Sequence, residues 1–224
     1  MIHRDITSQL VHITYRTHGS ISSKDLVKVE QQYQQDRAAI FSKYPEKDRI
    51  PGGRQHLAFQ SELEQLHLQH YLTYERFLDG TGRRGYYLED EAAKQIVIDS
   101  WHHIAKRDNL IIYAICVMSN HVHVLLLARK EDDIHDFDKL LGDHKRWVAN
   151  QLNKLVGATG RRVFSSKDFD RDVRPGRFAS VLLYILKNPL KAGITTDWLS
   201  FPGNWFDPRL EDEFIQPYRI GLAA

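Results

Sequence analysis

LIIYAICVM (110–118), SN (119–120) and HVHVLLL (121–127) form the segment on which the architecture turns. Leu110–Met118 is a nearly continuous apolar run, as a central strand covered on both faces requires. Ser119-Asn120 is a short turn signal, and His121–Leu127 reads as the next strand. Two strands joined by two residues form an antiparallel hairpin. Alternate side chains of a strand share a face, so His121 and His123 point one way and Val122 and Val124 the other. With Ser119 and Asn120 as the turn, Met118 opposes His121 and Cys116 opposes His123. Two same-face imidazoles can hold one divalent cation, or they can be half-buried polar groups with hydrogen-bond partners. Cys116 would lie on the same face, either as a soft ligand favouring zinc or as a small buried residue that leaves room for the rings. The second reading is preferred.

Outward from this hairpin, Leu10–Tyr15 reads as a first strand. Lys24–Lys43 is polar and helix-compatible, and Ile50-Pro51-Gly52-Gly53 is a strong breaker. Gln55–Phe77 has Leu57, Leu63, Leu66 and His70 roughly at helical spacing. The two helices together read as an insertion, residues 24–78, after the first strand. A further helix is expected over Asp90–Lys106. Ile134–Val156 carries the stripe Phe137, Leu140, Leu141, His144, Val148, Leu152 and Leu155. A basic, irregular stretch is expected over Gly157–Gly176, then a helix Arg177–Asn188 ended by Pro189. The order of elements predicts an α+β fold with helices on an antiparallel sheet, in one domain with a C-terminal extension over 200–224.

The chain of 224 residues is 42% hydrophobic and 27% charged, with a formal net charge of only +2. Bulk charge therefore does not mark a nucleic-acid binder, but its distribution is suggestive. Basic pairs at Arg83-Arg84, Lys145-Arg146, Arg161-Arg162 and within Arg171–Arg177 lie beside aromatic residues such as Tyr86-Tyr87, Trp147, Phe164 and Phe169. Such pairings suit phosphate tracking and base stacking, although a solvated loop explains any one of them. No apolar run reaches the length of a membrane span, the N-terminus lacks a secretory core, and the single Cys116 excludes an intramolecular disulfide. These features favour a cytoplasmic protein without a membrane partner.

The last helix carries the second signal. Phe178, Val181, Leu182 and Ile185 follow core spacing, while Ser180, Tyr184, Lys187 and Asn188 form another stripe, with Tyr184 and Asn188 one turn apart. MSNHVHVLL resembles the histidine–hydrophobic–histidine motif of HUH endonucleases, and YILKNPLKAGI resembles the tyrosine helix of the single-tyrosine, IS200-like transposases. The similarity is greatest to the REP-associated tyrosine transposases. It extends through FLDGTGRRGYYLEDEAAKQIV, HKRWVANQLNKL, VFSSKDFDRDVR and the tail WLSFPGNWF, over about residues 74–205, and takes in VHITYRT. Ser119 departs from the proline that many relatives carry there, and Lys24–Phe77 matches least.

This resemblance implies a ferredoxin-like or RRM-like core with the histidine strand in the centre of the sheet. It implies His121, His123 and Asn188 as ligands of Mg²⁺ or Mn²⁺, and Tyr184 as a nucleophile that forms a 5′-phosphotyrosine link. The implied substrate is single-stranded DNA with an adjacent hairpin, bound by a monomer or a homodimer. Arg83, Arg84, Lys145, Arg146, Arg171 and Arg174 are the expected backbone contacts. Two other readings remain: a non-catalytic single-strand nucleic-acid binder on the same fold, and a metal-dependent hydrolase in which Tyr184 is structural.

Overall fold

The computed structural model describes residues 10–80, 86–128 and 137–222. The chain divides into two compact units, residues 1–20 with 85–224, and residues 21–84.

The larger unit is built on a five-stranded sheet. Its strands are β1 (Leu10–Thr17), β2 (Leu110–Val117), β3 (His121–Ala128), β4 (Phe164–Asp172) and β5 (Asn204–Phe206). They lie in the order β4-β1-β3-β2-β5, and every pairing is antiparallel. The first four strands have the ferredoxin-like order, with β3 in the middle of the sheet. The hairpin register is the one expected: Cys116 lies opposite His123, and the Met118 amide donates to the His121 carbonyl at 2.9 Å.

The two faces of β3 meet different partners. Val122, Val124, Leu126 and Ala128 join Val11, Ile13, Tyr15, Ile115 and Val117 in one core. The helices α1 (Ser23–Lys43), α2 (Glu46–Arg49) and α3 (His56–Asp79) belong to the smaller unit; this core is covered by α4 (Glu91–Arg107) and α5 (Phe137–Leu155). Asp90 caps α4, its carboxylate accepting from the Ala92 amide at 2.7 Å. Val97, Trp101 and Ile104 of α4 and Leu140, Leu141, Val148 and Leu152 of α5 pack into this core. Leu155, expected on the same stripe, is half exposed at the end of its helix. The opposite face of β3 carries His121, His123 and Leu125. Leu125 packs with Ala114, Cys116 and Met118 against Leu182, Ile185 and Leu186 of α6 (Phe178–Leu186).

A polar chain runs through the first core. The Trp101 indole N–H donates to the Tyr15 hydroxyl at 3.0 Å. Tyr15 lies 2.6 Å from His144 Nε2, and His144 Nδ1 lies 2.9 Å from Ser100 Oγ. Because the indole can only donate, the coherent direction is Trp101 to Tyr15 to His144 Nε2, with the His144 proton on Nδ1 facing Ser100. Burial, and secondarily the charge of Lys145, hold His144 down to about 3. An unfolded histidine titrates near ~6.5, so below that pH the unfolded chain takes up a proton that the folded one refuses. His144 therefore gives full stability above about pH 6.5 and loses it progressively down to about pH 3. Denaturation curves should show His144→Gln reducing the pH slope of stability by about 1.4 kcal/mol per pH unit between about pH 5.5 and about pH 4.5, and leaving it nearly unchanged above about pH 7.5.

Three features depart from the sequence expectation. Residues Gly157–Gly176 are not irregular throughout, because β4 lies within them. As an edge strand it pairs only with β1, and its sequence, FSSKDFDRD, is correspondingly polar. The helix expected over Arg177–Asn188 ends at Leu186; Asn188 instead opens a short α7 (Asn188–Lys191), with Pro189 in its first turn where a missing N–H costs nothing. The tail adds β5 on the outer edge of β2. Gly203 is required there, since a Cβ would stand 2.2 Å from the Val117 carbonyl oxygen. Asn204 Nδ2 then donates to the Leu186 and Trp198 carbonyls, closing the end of α6. The chain continues through a 3₁₀ turn and a π-helical segment into α8 (Gln216–Leu222).

In the smaller unit, α1 and α3 form a helical hairpin around Tyr44, Phe41 and Phe59. Ser22 caps α1 through the Asp25 amide. Tyr44 and Lys43 both donate to Glu62 across the hairpin.

Candidate active site

The pleat of the sheet collects the polar residues. Across β1 and β3, Thr14 lies opposite His123 and His12 opposite Leu125, so His12 and Thr14 share the face of His121 and His123. His121 and His123 are 1% and 0% exposed, and their ring centroids are 4.8 Å apart at 87°. His121 Nδ1 lies 2.7 Å from Asn120 Oδ1. His123 Nδ1 lies 3.0 Å from Thr14 Oγ1 and 3.2 Å from His12 Nε2. In both rings Nδ1 is thus the nitrogen turned to a protein neighbour. Nε2 is the ring nitrogen turned away from those neighbours.

Tyr184 stands over this group. Its ring meets His12 and His123 edge-on, with centroids 6.1 and 6.3 Å away. The side chain is half-buried, as an aromatic at the rim of a packed helix should be. The α6 residues Leu182, Ile185 and Leu186 fix this position by packing on the histidine side of the sheet. The structure thus brings Tyr184 and the histidine pair together within one chain.

Asn188 is fully buried at the start of α7, and neither its Oδ1 nor its Nδ2 has a hydrogen-bond partner. A buried amide with neither atom satisfied costs about 1–3 kcal/mol per group. That cost suits a side chain that awaits an external partner. Cys116 takes the bland role: it is completely buried among Ala114, Met118, Leu125 and α6. Among the described residues, no group of three or more His, Cys, Asp or Glu side chains is arranged to hold a metal ion.

The electrostatics suit a neutral histidine pair beside positive charge. Burial, then the charges of Lys191 and Arg171, push His123 down to about 3. Burial, then His123 and Arg171, hold His12 well below the usual histidine range. Both shifts favour the neutral ring, the form in which an imidazole can ligate a cation. Lys191 Nζ sits 5.0 Å from the centre of the Tyr184 ring, and Arg171 lies opposite His12 on β4. These two cations border the histidine face, where a phosphate could be attracted.

The expected basic contacts divide. Arg83 and Arg84 lie outside the described residues. Arg171 adjoins the site, and Arg174 is exposed just beyond β4. Arg146 is exposed and paired with Asp143 at 2.8 Å. Lys145 is only 11% exposed and donates to both Asp168 oxygens and to the Ser165 carbonyl. Asp168 lies opposite Tyr15, on the sheet face away from the histidines. Burial pulls Lys145 down and pushes Asp168 up, and each partner opposes the shift of the other. Lys145→Ala should therefore lower stability by about 1–3 kcal/mol, the cost of leaving a largely buried carboxylate without its cation. Arg171→Ala should leave stability near wild type and reduce the salt dependence of oligonucleotide binding by about one unit of slope. Thermal denaturation and a binding titration at several salt concentrations check the pair.

Sequence reasoning passed over His12, Thr14, Asn120 and Lys191. Their signals were weak but present: His12 and Thr14 alternate within VHITYRT, and Asn120 directly precedes the first histidine. Lys191 faces Tyr184 only because the chain turns at Lys187 into α7.

Residues 71–170 match the family model described as "Transposase IS200 like". The fold is similar to that of a solved chain described as "Structure of the REP associates tyrosine transposase bound to a REP hairpin". The TM-score is 0.52 and the identity 12%, and the similarity covers 96% of this chain and 86% of that one. No curated protein matches the chain.

Proposed function

We propose that this chain, which is similar over residues 71–170 to the IS200-like transposases, is a metal-dependent single-strand DNA endonuclease and strand transferase with Tyr184 as its nucleophile. The observation that carries this reading is the packing of the Tyr184 ring edge-on against His12 and His123, on the sheet face that also carries His121.

The residues fit a hard divalent cation. His121 and His123 would hold it through Nε2, and Asn188 through its amide oxygen, which makes no hydrogen bond within the protein. Three neutral ligands leave other positions for phosphate and water, as Mg²⁺ or Mn²⁺ requires; the nitrogen donors favour Mn²⁺. Bound there, the ion supplies Lewis-acid polarisation of a non-bridging phosphate oxygen. The chain supplies the rest. α6 presents the Tyr184 hydroxyl, whose free pKa near ~10 makes it a poor nucleophile until its proton is removed. Lys191 and Arg171 add positive charge where the phosphate would dock. Attack by Tyr184 Oη on phosphorus breaks the P–O3′ bond. The products are a 5′-phosphotyrosine and a strand ending in a 3′-hydroxyl, whose oxygen takes up the proton. Because the phosphoester count is unchanged, a different 3′-hydroxyl can reverse the step and join a new strand without ATP. The REP hairpin in the similar structure makes a hairpin-bearing single strand the first substrate to try.

The test is a labelled single-stranded oligonucleotide with a hairpin, incubated with protein in Mn²⁺ or EDTA and separated under denaturing conditions. A label that travels with the protein only in Mn²⁺ is expected. Cleavage without an adduct points to a hydrolase, and binding without cleavage to a binding module.

A further inference from the structure

We infer that Asn120 on one side, and Thr14 with His12 on the other, are positioning residues that keep the ring proton of both site histidines on Nδ1 and so leave both Nε2 lone pairs for a cation. The inference rests on the reading of His121 and His123 as cation ligands. It adds three residues that act through the two rings.

The argument begins with donor and acceptor chemistry. A neutral imidazole carries one proton, and the hydrogen bond made by one nitrogen decides which nitrogen keeps the lone pair. Asn120 Oδ1, 2.7 Å from His121 Nδ1, is an amide oxygen and can only accept. A neutral His121 must therefore donate from Nδ1 and keep its lone pair on Nε2. The Asn120 backbone is itself pinned: its carbonyl accepts from the Thr17 amide at 2.8 Å and the Thr17 hydroxyl at 3.0 Å. The residue is 2% exposed, so water does not compete for its side chain.

His123 has two polar neighbours at Nδ1, Thr14 Oγ1 at 3.0 Å and His12 Nε2 at 3.2 Å. A hydroxyl oxygen accepts through its lone pairs, and a neutral imidazole accepts through its bare nitrogen. Both groups can accept a proton carried on His123 Nδ1, and that is the form that leaves Nε2 bare for a cation. All three groups are at most 3% exposed. The two braces enter from opposite directions. One comes from the hairpin turn that precedes β3, the other from the neighbouring strand β1. Together they fix two rings whose planes cross at 87°. Outer partners of this kind are typically worth about 10–100-fold in metal affinity.

The test has a readout that needs neither metal nor DNA. Long-range ¹H–¹⁵N spectra of the metal-free, ¹⁵N-histidine-labelled protein should show His121 and His123 both in the Nδ1–H form. Asn120→Ala should release His121 from that form and weaken Mn²⁺ binding, followed by electron paramagnetic resonance, about 10–100-fold. Asn120→Asp, which keeps the accepting oxygen, should restore both. Thr14→Val combined with His12→Phe, which removes both acceptors, should do to His123 what Asn120→Ala does to His121, and restoring either residue should reverse it. Nε2–H forms in the wild-type protein, or alanine and double variants with unchanged spectra and Mn²⁺ affinity, would overturn the inference. Nδ1–H forms in a wild-type protein that binds no Mn²⁺ would uphold the tautomers and overturn the metal reading instead.

Discussion

Tyr184→Phe should abolish covalent capture of single-stranded DNA and cut cleavage at least about a thousandfold, while the fold and oligonucleotide binding stay intact. The ring contacts with His12 and His123 are made by the aromatic face and edge, which phenylalanine retains. The cation above the ring, Lys191, also keeps its partner. Only the hydroxyl is lost, and with it the atom that would bond to phosphorus. A change confined to one oxygen on a half-buried side chain should move the melting temperature little. The checks are an adduct assay, a cleavage time course and a binding isotherm on the same preparation. Cleavage that survives the substitution would assign the attack to water.

Asn188→Leu should have opposite effects on stability and on function. The two side chains have the same number of heavy atoms and a similar branched shape. Asn188 is fully buried, with neither amide atom bonded within the protein. Replacing unsatisfied polar atoms by methyl groups removes a desolvation cost, so the metal-free protein should gain about 1–3 kcal/mol of stability. The same change deletes the proposed third ligand. Mn²⁺ affinity should fall at least about a hundredfold, and adduct formation with it. Denaturant titration in EDTA reads the first effect and paramagnetic resonance the second. A loss of stability in EDTA would mean that Asn188 serves the fold rather than a ligand.

The hairpin was legible because its chemistry is local. Apolar runs of strand length, a two-residue turn and the period of two suffice to set Cys116 against His123. The α6 core stripe was legible for the same reason, since Leu182 and Ile185 keep helical spacing and pack on that sheet face. β4 was not. A strand paired on one side only has no need of an apolar run, and Phe164–Asp172 reads as a charged loop until β1 lies beside it. The break at Lys187 was also hidden. Pro189 signals a helix end and equally a helix start, and only the backbone shows that it does both within four residues. Half of the site follows from such non-local pairing. His12 reaches His123 across 111 residues of sequence, and nothing within VHITYRT specifies that neighbour. Lys145 shows the converse. Its position beside Arg146 suggested a phosphate contact, whereas the fold turns it inward onto Asp168.

The shortest route to the central claim is peptide mapping of the DNA adduct. After incubation with single-stranded DNA and Mn²⁺, nuclease trimming and trypsin digestion, the peptide FASVLLYILK, residues 178–187, should carry a nucleotide 5′-phosphate on Tyr184. An unmodified peptide alongside cleaved DNA, or a nucleotide attached to another residue, would contradict the account.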